Sequence, residues 1–166
     1  MFELKKLPKK DIGSALEKAR CYRFLNEPRE AESICLDILD VEPENQQALI
    51  TLILSLADQF SGELSAEFSR AKALLPRLNT NFHQIYYEAI ISERRAKTHL
   101  NRGGHGSGNM AYKWLKKAMD LYEKSISMDP QGDQEAVLRW NACARLIMRS
   151  SSLKPSDESG EEIMLE

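Results

Sequence analysis

The sequence predicts an all-α protein, and three observations carry that expectation. Apolar residues recur at i, i+3, i+4 and i+7 along most of the 166 residues. The 6 prolines and 8 glycines fall mostly between these periodic stretches, where they punctuate rather than interrupt. No stretch shows the strict apolar-polar alternation of a half-buried strand.

About seven helices follow from this pattern. Ser14 and Glu17 form a Ser-x-x-Glu capping box, which predicts a helix running to about Leu25. Asn26-Glu27-Pro28 predicts a turn, with Pro28 suited to a first helical position. The second helix carries Ala31, Ile34, Cys35, Ile38, Leu39 and Val41 and closes before Pro43, because the residue preceding a proline avoids the helical region. The third is very apolar, with Ala48, Leu49, Leu52, Ile53, Leu56 and Ala57, and is expected to break at Ser61-Gly62. The fourth is expected from about Leu64 to Leu75, stopped by Pro76. The fifth starts at the cap cluster Asn79-Thr80-Asn81 and runs towards Leu100. Residues 102–109, rich in glycine, read as an insertion outside any helix. The sixth helix is expected from about Met110 to Met128 and the seventh from about Gln134 to Arg149. The helical domain therefore covers 12–150. Residues 1–11 read as a basic arm, and 151–166, with Lys154 against five acids, as a disordered acidic tail.

Composition narrows the function classes. The net charge is −2 with a pI near 6.0, which argues against a surface built wholly for nucleic acid. No apolar run approaches the roughly 18–20 residues of a membrane span, and the start, with basic residues but no apolar run after them, does not read as a secretory signal. Cys21, Cys35 and Cys143 are odd in number and widely spaced, as expected of reduced thiols in the cytoplasm. Gly103-x-x-x-x-Gly108 resembles half a phosphate loop, but Asn109 stands where a lysine is needed and Met110 where a magnesium-binding hydroxyl is needed. His83, His99 and His105 have no i+4 histidine partner, so no metal site is expected. No nucleophile and base share a local signature, so neither an enzyme nor a cofactor is expected.

The chain contains an internal repeat. The segments from Ala31 to Pro43 and from Ala118 to Pro130 align without a gap, 87 residues apart. They share the alanine, an apolar residue four on, apolar residues at eight and ten, an acid and the closing proline. Ala19, Tyr22, Ala31 and Pro43, with Ala118, Tyr122 and Pro130, resemble the tetratricopeptide-repeat (TPR) pattern. Ala15 replaces the family's leading tryptophan, and the second repeat, near 46–78, keeps only Ala66 and Ala73. The resemblance implies a right-handed superhelical stack of helix-turn-helix repeats, a TPR-like α-solenoid of about three repeats closed by a capping helix.

What the resemblance implies about function is a non-enzymatic interaction module (adaptor, co-chaperone or assembly factor) holding a partner peptide or helix in its concave groove. Its groove positions fall on Leu16, Arg20, Arg23 and Phe24, on Gln47, Ile50, Leu54 and Asp58, on His83, Tyr87 and Ile91, and on Val137 and Asn141. Of these, Phe24, Ile50, Leu54 and Tyr87 are the expected anchors and Arg20 and Arg23 the expected carboxylate readers. The same residues also read as ordinary core and solvated arginines. The residues for a chaperone-type carboxylate clamp are absent. A second reading rests on Arg94, Arg95, Lys97, Arg102, Lys113, Lys116 and Lys117, a run without acids that suits nucleic acid or another polyanion. The acidic tail and self-association are further candidate occupants of these surfaces.

Overall fold

The computed structural model describes residues 1–61 and 65–156. Among them the chain forms seven α-helices and no strand: α1 Ile12–Phe24, α2 Pro28–Val41, α3 Gln46–Ala57, α4 Ala66–Leu74, α5 Asn81–Arg102, α6 Ser107–Met128 and α7 Glu135–Arg149. Short 3-10 turns at Lys9–Asp11 and Leu75–Arg77 lead into α1 and close α4.

Local chemistry accounts for most of the ends. Asn45 caps α3, its side-chain oxygen accepting from the Ala48 amide at 2.9 Å. Thr80 caps α5 in the same way, accepting from the His83 amide at 3.1 Å. Pro28 opens α2, and Asn26 takes the left-handed φ of 60° that the tight turn from α1 demands. The expected capping box at Ser14 is not the start of α1. The helix begins two residues earlier, flowing out of the 3-10 turn, and Ser14 Oγ instead donates to the Asp11 carbonyl at 3.0 Å.

Each helix packs against its neighbour in sequence, and α1, α3 and α5 also touch one another in a row. Leu49, Ile53 and Leu56 of α3 are fully buried, which explains why that helix is apolar nearly all round. Phe60, Phe68 and Trp114 meet edge to face, each ring pair 5.6 Å apart, and tie the end of α3 to α4 and α6. The two gaplessly aligned segments bury equivalent positions: Ala31 and Ala118, Cys35 and Tyr122, Ile38 and Ser125 are all at 0% exposure. Near 46–78 the two alanines expected to match the motif are not at a packed position. Ala66 and Ala73 face solvent, and Ala71 is the small residue at the helix contact.

The glycine-rich stretch is shorter than expected. Arg102 completes α5, and Ser107, Gly108 and Asn109 form the first turn of α6, leaving 103–106 as the loop. Gly103, Gly104 and Gly106 take positive φ there. Gly108, inside the helix, is glycine for another reason: a Cβ on it would lie 2.2 Å from the Ser152 carbonyl oxygen. Residues 151–156, expected to begin a disordered tail, fold back over this turn. Leu153 is 4% exposed, and Asn109 Nδ2 donates to the Lys154 carbonyl at 3.1 Å. Residues 157–166, which hold the tail's acids and Ile163-Met164-Leu165, lie outside the described residues.

Candidate functional site

The face formed by α1, α3 and α5 gathers most of the expected groove residues. Ile50 and Leu54, on α3, are half-buried against the core and lie about two turns and one turn before Asp58 on the same helix stripe. Tyr87, on α5, is also half-buried, its ring 5.1 Å from Tyr86 and 6.0 Å from His83. Burial raises the Tyr87 hydroxyl pKa above the ordinary phenol value, reinforced by Glu135 and opposed by Arg139 and Arg23. Ile91, by contrast, is 1% exposed and belongs to the core.

The two expected carboxylate readers are both engaged. Arg20 donates to Glu17 Oε1 at 2.9 Å and to Gln47 Oε1 at 2.6 Å, bridging α1 to α3. Arg23, in the last turn of α1, donates through Nε to Asp58 Oδ2 at 2.9 Å and pairs with it through Nη2 at 2.8 Å. Asp58 stands just past α3, where a carboxylate meets the negative end of the helix dipole. Two guanidiniums offset that misfit, because Arg94 of α5 brings Nη2 to 3.5 Å from Asp58 Oδ1. One carboxylate therefore links α1, α3 and α5 at one end of the face. Arg94 is the less satisfied partner: its pairing is long, and its Nε is buried with no hydrogen-bond partner among the described residues.

Beside this bridge opens a cleft of about 480 Å³, lined by Arg23, Phe24, Asn26, Ala57, Asp58, Phe60, Arg94, Lys97, Thr98 and Asn101. Phe24 stands at its edge with 89% of its surface exposed. The cleft combines aromatic surface, amide and hydroxyl groups, and a cation with spare donor capacity. Such a set suits an apolar side chain followed by an anionic group. Sequence reasoning missed Phe60, Thr98 and Asn101, which reach the cleft because α5 runs past the end of α3.

The basic run is dispersed. Arg95 is 7% exposed and lies 4.7 Å over the Phe68 ring. Lys97 pairs with Glu93, and Lys117 pairs with Glu88 at 3.1 Å while lying 5.4 Å over Trp114. Arg102 is exposed in the last turn of α5. Lys113 and Lys116 form no ion pair among the described residues. Trp114 and His99, two of the rings near this run, are buried in the helix pair and are not available for stacking on bases.

A buried polar network lies behind the face. Glu93, 2% exposed, accepts from the Tyr122 hydroxyl at 2.7 Å, from Arg139 Nη1 at 3.3 Å and from Lys97 Nζ. Arg139 Nε also donates to the Tyr86 hydroxyl at 3.2 Å, so one carboxylate holds α5, α6 and α7 together. Burial pushes the Glu93 carboxyl upward, but hydrogen bonds from Lys97 and Tyr122 and the charges of Lys97 and Arg139 hold it below the usual range. Sequence reading passed over this group, although an acid in the apolar stripe of Ala89, Ile90 and Ala96 was a visible signal.

Among the described residues no three His, Cys, Asp or Glu side chains are arranged to hold a metal ion, and no helix is long and apolar enough to cross a membrane. No family model, curated protein or solved structure matches the chain.

Proposed function

We propose that this protein is a non-enzymatic interaction module: a right-handed, TPR-like stack of helix pairs that holds a partner peptide or helix on its α1/α3/α5 face. The reading draws support from the row formed by those helices and from the burial pattern shared by the two repeat segments. The observation that carries it is the Arg23–Asp58–Arg94 bridge at the rim of a cleft flanked by exposed Phe24.

In this mechanism Ile50, Leu54 and Tyr87 give the partner an apolar track. Phe24 and Phe60 enclose one anchoring side chain, and Arg94 engages an acidic group beside it. Asp58 pairs with both arginines at the rim before the partner arrives, and its own negative charge opposes an acidic visitor. No covalent step is involved.

Selection of binders from a random peptide library, followed by titration calorimetry, tests the proposal. Apolar-acidic peptides are expected, with affinity reduced at least about tenfold by Leu54→Asp and by Arg94→Ala while the helical circular dichroism is retained. Recovery of no peptide, or equal binding by both folded variants, overturns it. Preferential binding of RNA, with steep salt dependence abolished by removing Lys113 and Lys116, would favour the polyanion reading instead.

A further inference from the structure

The first helix pair and the last helix carry complementary surfaces that the proposed groove does not use. On α7, Leu138, Ala142, Arg145 and Arg149 are spaced by four, three and four residues and form one exposed stripe. Leu138 is 66% exposed, and neighbouring Met148 is 77% exposed. A terminal helix that simply closes a monomeric stack is expected to show a polar outer face, and this one sets Leu138, Ala142 and Met148 among its exposed charges. Arg145 and Arg149 make no ion pair among the described residues.

At the other end, a groove of about 400 Å³ opens between α1 and α2. Leu7, Ala15 and Ile34 give it an apolar lining and pack on a small cluster around Ile12 and Ile38. Asp11 and Asp37 stand at its rim, again with no ion pair among the described residues. Lys18 is the one cation among the lining residues, and the adjoining arm adds exposed Lys9 and Lys10, so a basic visitor must approach past these charges.

We propose that copies of this chain associate head to tail, with the Leu138–Arg145 side of α7 in one copy seated in the α1/α2 groove of the next. Leu138 fills the apolar groove, and Arg145 and Arg149 meet the Asp11 and Asp37 carboxylates. The pairing matches opposite charge with opposite charge and an apolar projection with an apolar recess. A contact of one helix against a two-helix groove lies at the small end of specific interfaces, below about 1,200 Å² in total, so the association is weak and concentration-dependent. It is also heterologous: each copy keeps one free surface of each kind, so growth continues past the dimer.

Sedimentation of the full chain from about 10 µM to about 1 mM, a range that brackets weak protein contacts, tests this directly. The average mass is expected to rise past that of a dimer and to fall again at high salt. Leu138→Glu disables the stripe and Asp37→Arg disables the groove; each alone is expected to remain monomeric, with association weakened at least about tenfold. Mixed in equal amounts, the two variants are expected to form a one-to-one dimer, since each retains the surface that the other lacks. Arg145→Glu and Asp11→Arg repeat the experiment should either first variant lose its helical circular dichroism. A wild-type chain that stays monomeric across the range, variants that associate as well as wild type, or a mixture that stays monomeric overturns the proposal.

Discussion

Tyr122 donates its hydroxyl to a Glu93 carboxylate oxygen across 2.7 Å, with the two residues at 0% and 2% exposure. The bond joins α5 to α6, and Arg139 extends it to α7. Removing one partner leaves a buried charge short of a donor. Tyr122→Phe is therefore expected to cost about 1–3 kcal/mol in urea unfolding. Glu93→Ala, which leaves the buried Tyr122 hydroxyl without its acceptor while Arg139 keeps Glu135 and Tyr86, is expected to cost about 1–3 kcal/mol. A change near zero in both would show that water reaches the network.

The same carboxyl gives stability a pH dependence of defined sign. Its folded pKa lies below the ordinary 4.5, so it contributes stability that is present above that value and lost as pH falls through the folded pKa. Wild-type protein is expected to lose stability on acidification below about pH 4.3 more steeply than Glu93→Gln, measured by urea midpoints along a pH series. Parallel curves for the two proteins would remove Glu93 from the acid transition.

Thiol chemistry divides the three cysteines. Burial pushes the Cys35 and Cys143 thiols up to about 12, whereas Cys21 is exposed on α1. An aromatic disulfide reagent at neutral pH is expected to label one thiol quickly and the other two only on unfolding. Because unfolding releases those two to an ordinary pKa near 8.5, stability is also expected to decline above that pH. Fast labelling of three thiols in the folded protein would contradict the packing around Ala31 and Ala118.

Gly108 and Leu153 test the fold-back of 151–156. Gly108→Ala places a methyl where Ser152 oxygen now lies, and is expected to displace the segment at a cost of about 1–3 kcal/mol. Leu153→Ala is expected to cost about 2 kcal/mol, at the low end for a buried leucine because its segment can relax. Both variants are expected to become sensitive to proteases after Arg149. If Gly108→Ala raises stability instead, helix propensity outweighs the contact.

Asp58 occupies the cleft as an internal anion. Asp58→Asn is expected to tighten binding of an acidic peptide severalfold at low salt while lowering the melting temperature, since Arg23 and Arg94 lose their shared partner. Unchanged affinity would separate the cleft from recognition.

Much of the fold was legible because short-range rules decide it. Pro28, Thr80 and Pro43 mark helix ends through their own backbone chemistry, and the 87-residue repeat marks equivalent packing positions. Residues 46–78 were harder to read because alanine serves equally on a buried and an exposed helix face: Ala66 and Ala73 matched the motif but face solvent, while Ala71 is buried. Gly108 and Leu153 escaped for a related reason: each is explained by the other's segment, 45 residues away, and neither carries a local signal. In the site, Arg23 and Asp58 were visible as groove positions, but their mutual pairing and the approach of Arg94 depend on how far α5 overshoots α3.

The open connection between α5 and α6 has a practical consequence. A side chain at Gly103, Gly104 or Gly106 would meet nothing within 4 Å, and both flanking helices are anchored by their own long contact. A fluorescent reporter or affinity handle spliced between residues 104 and 105 should therefore leave the buried carboxylate and the chain's start untouched, giving an internal attachment point for imaging the protein with its partners.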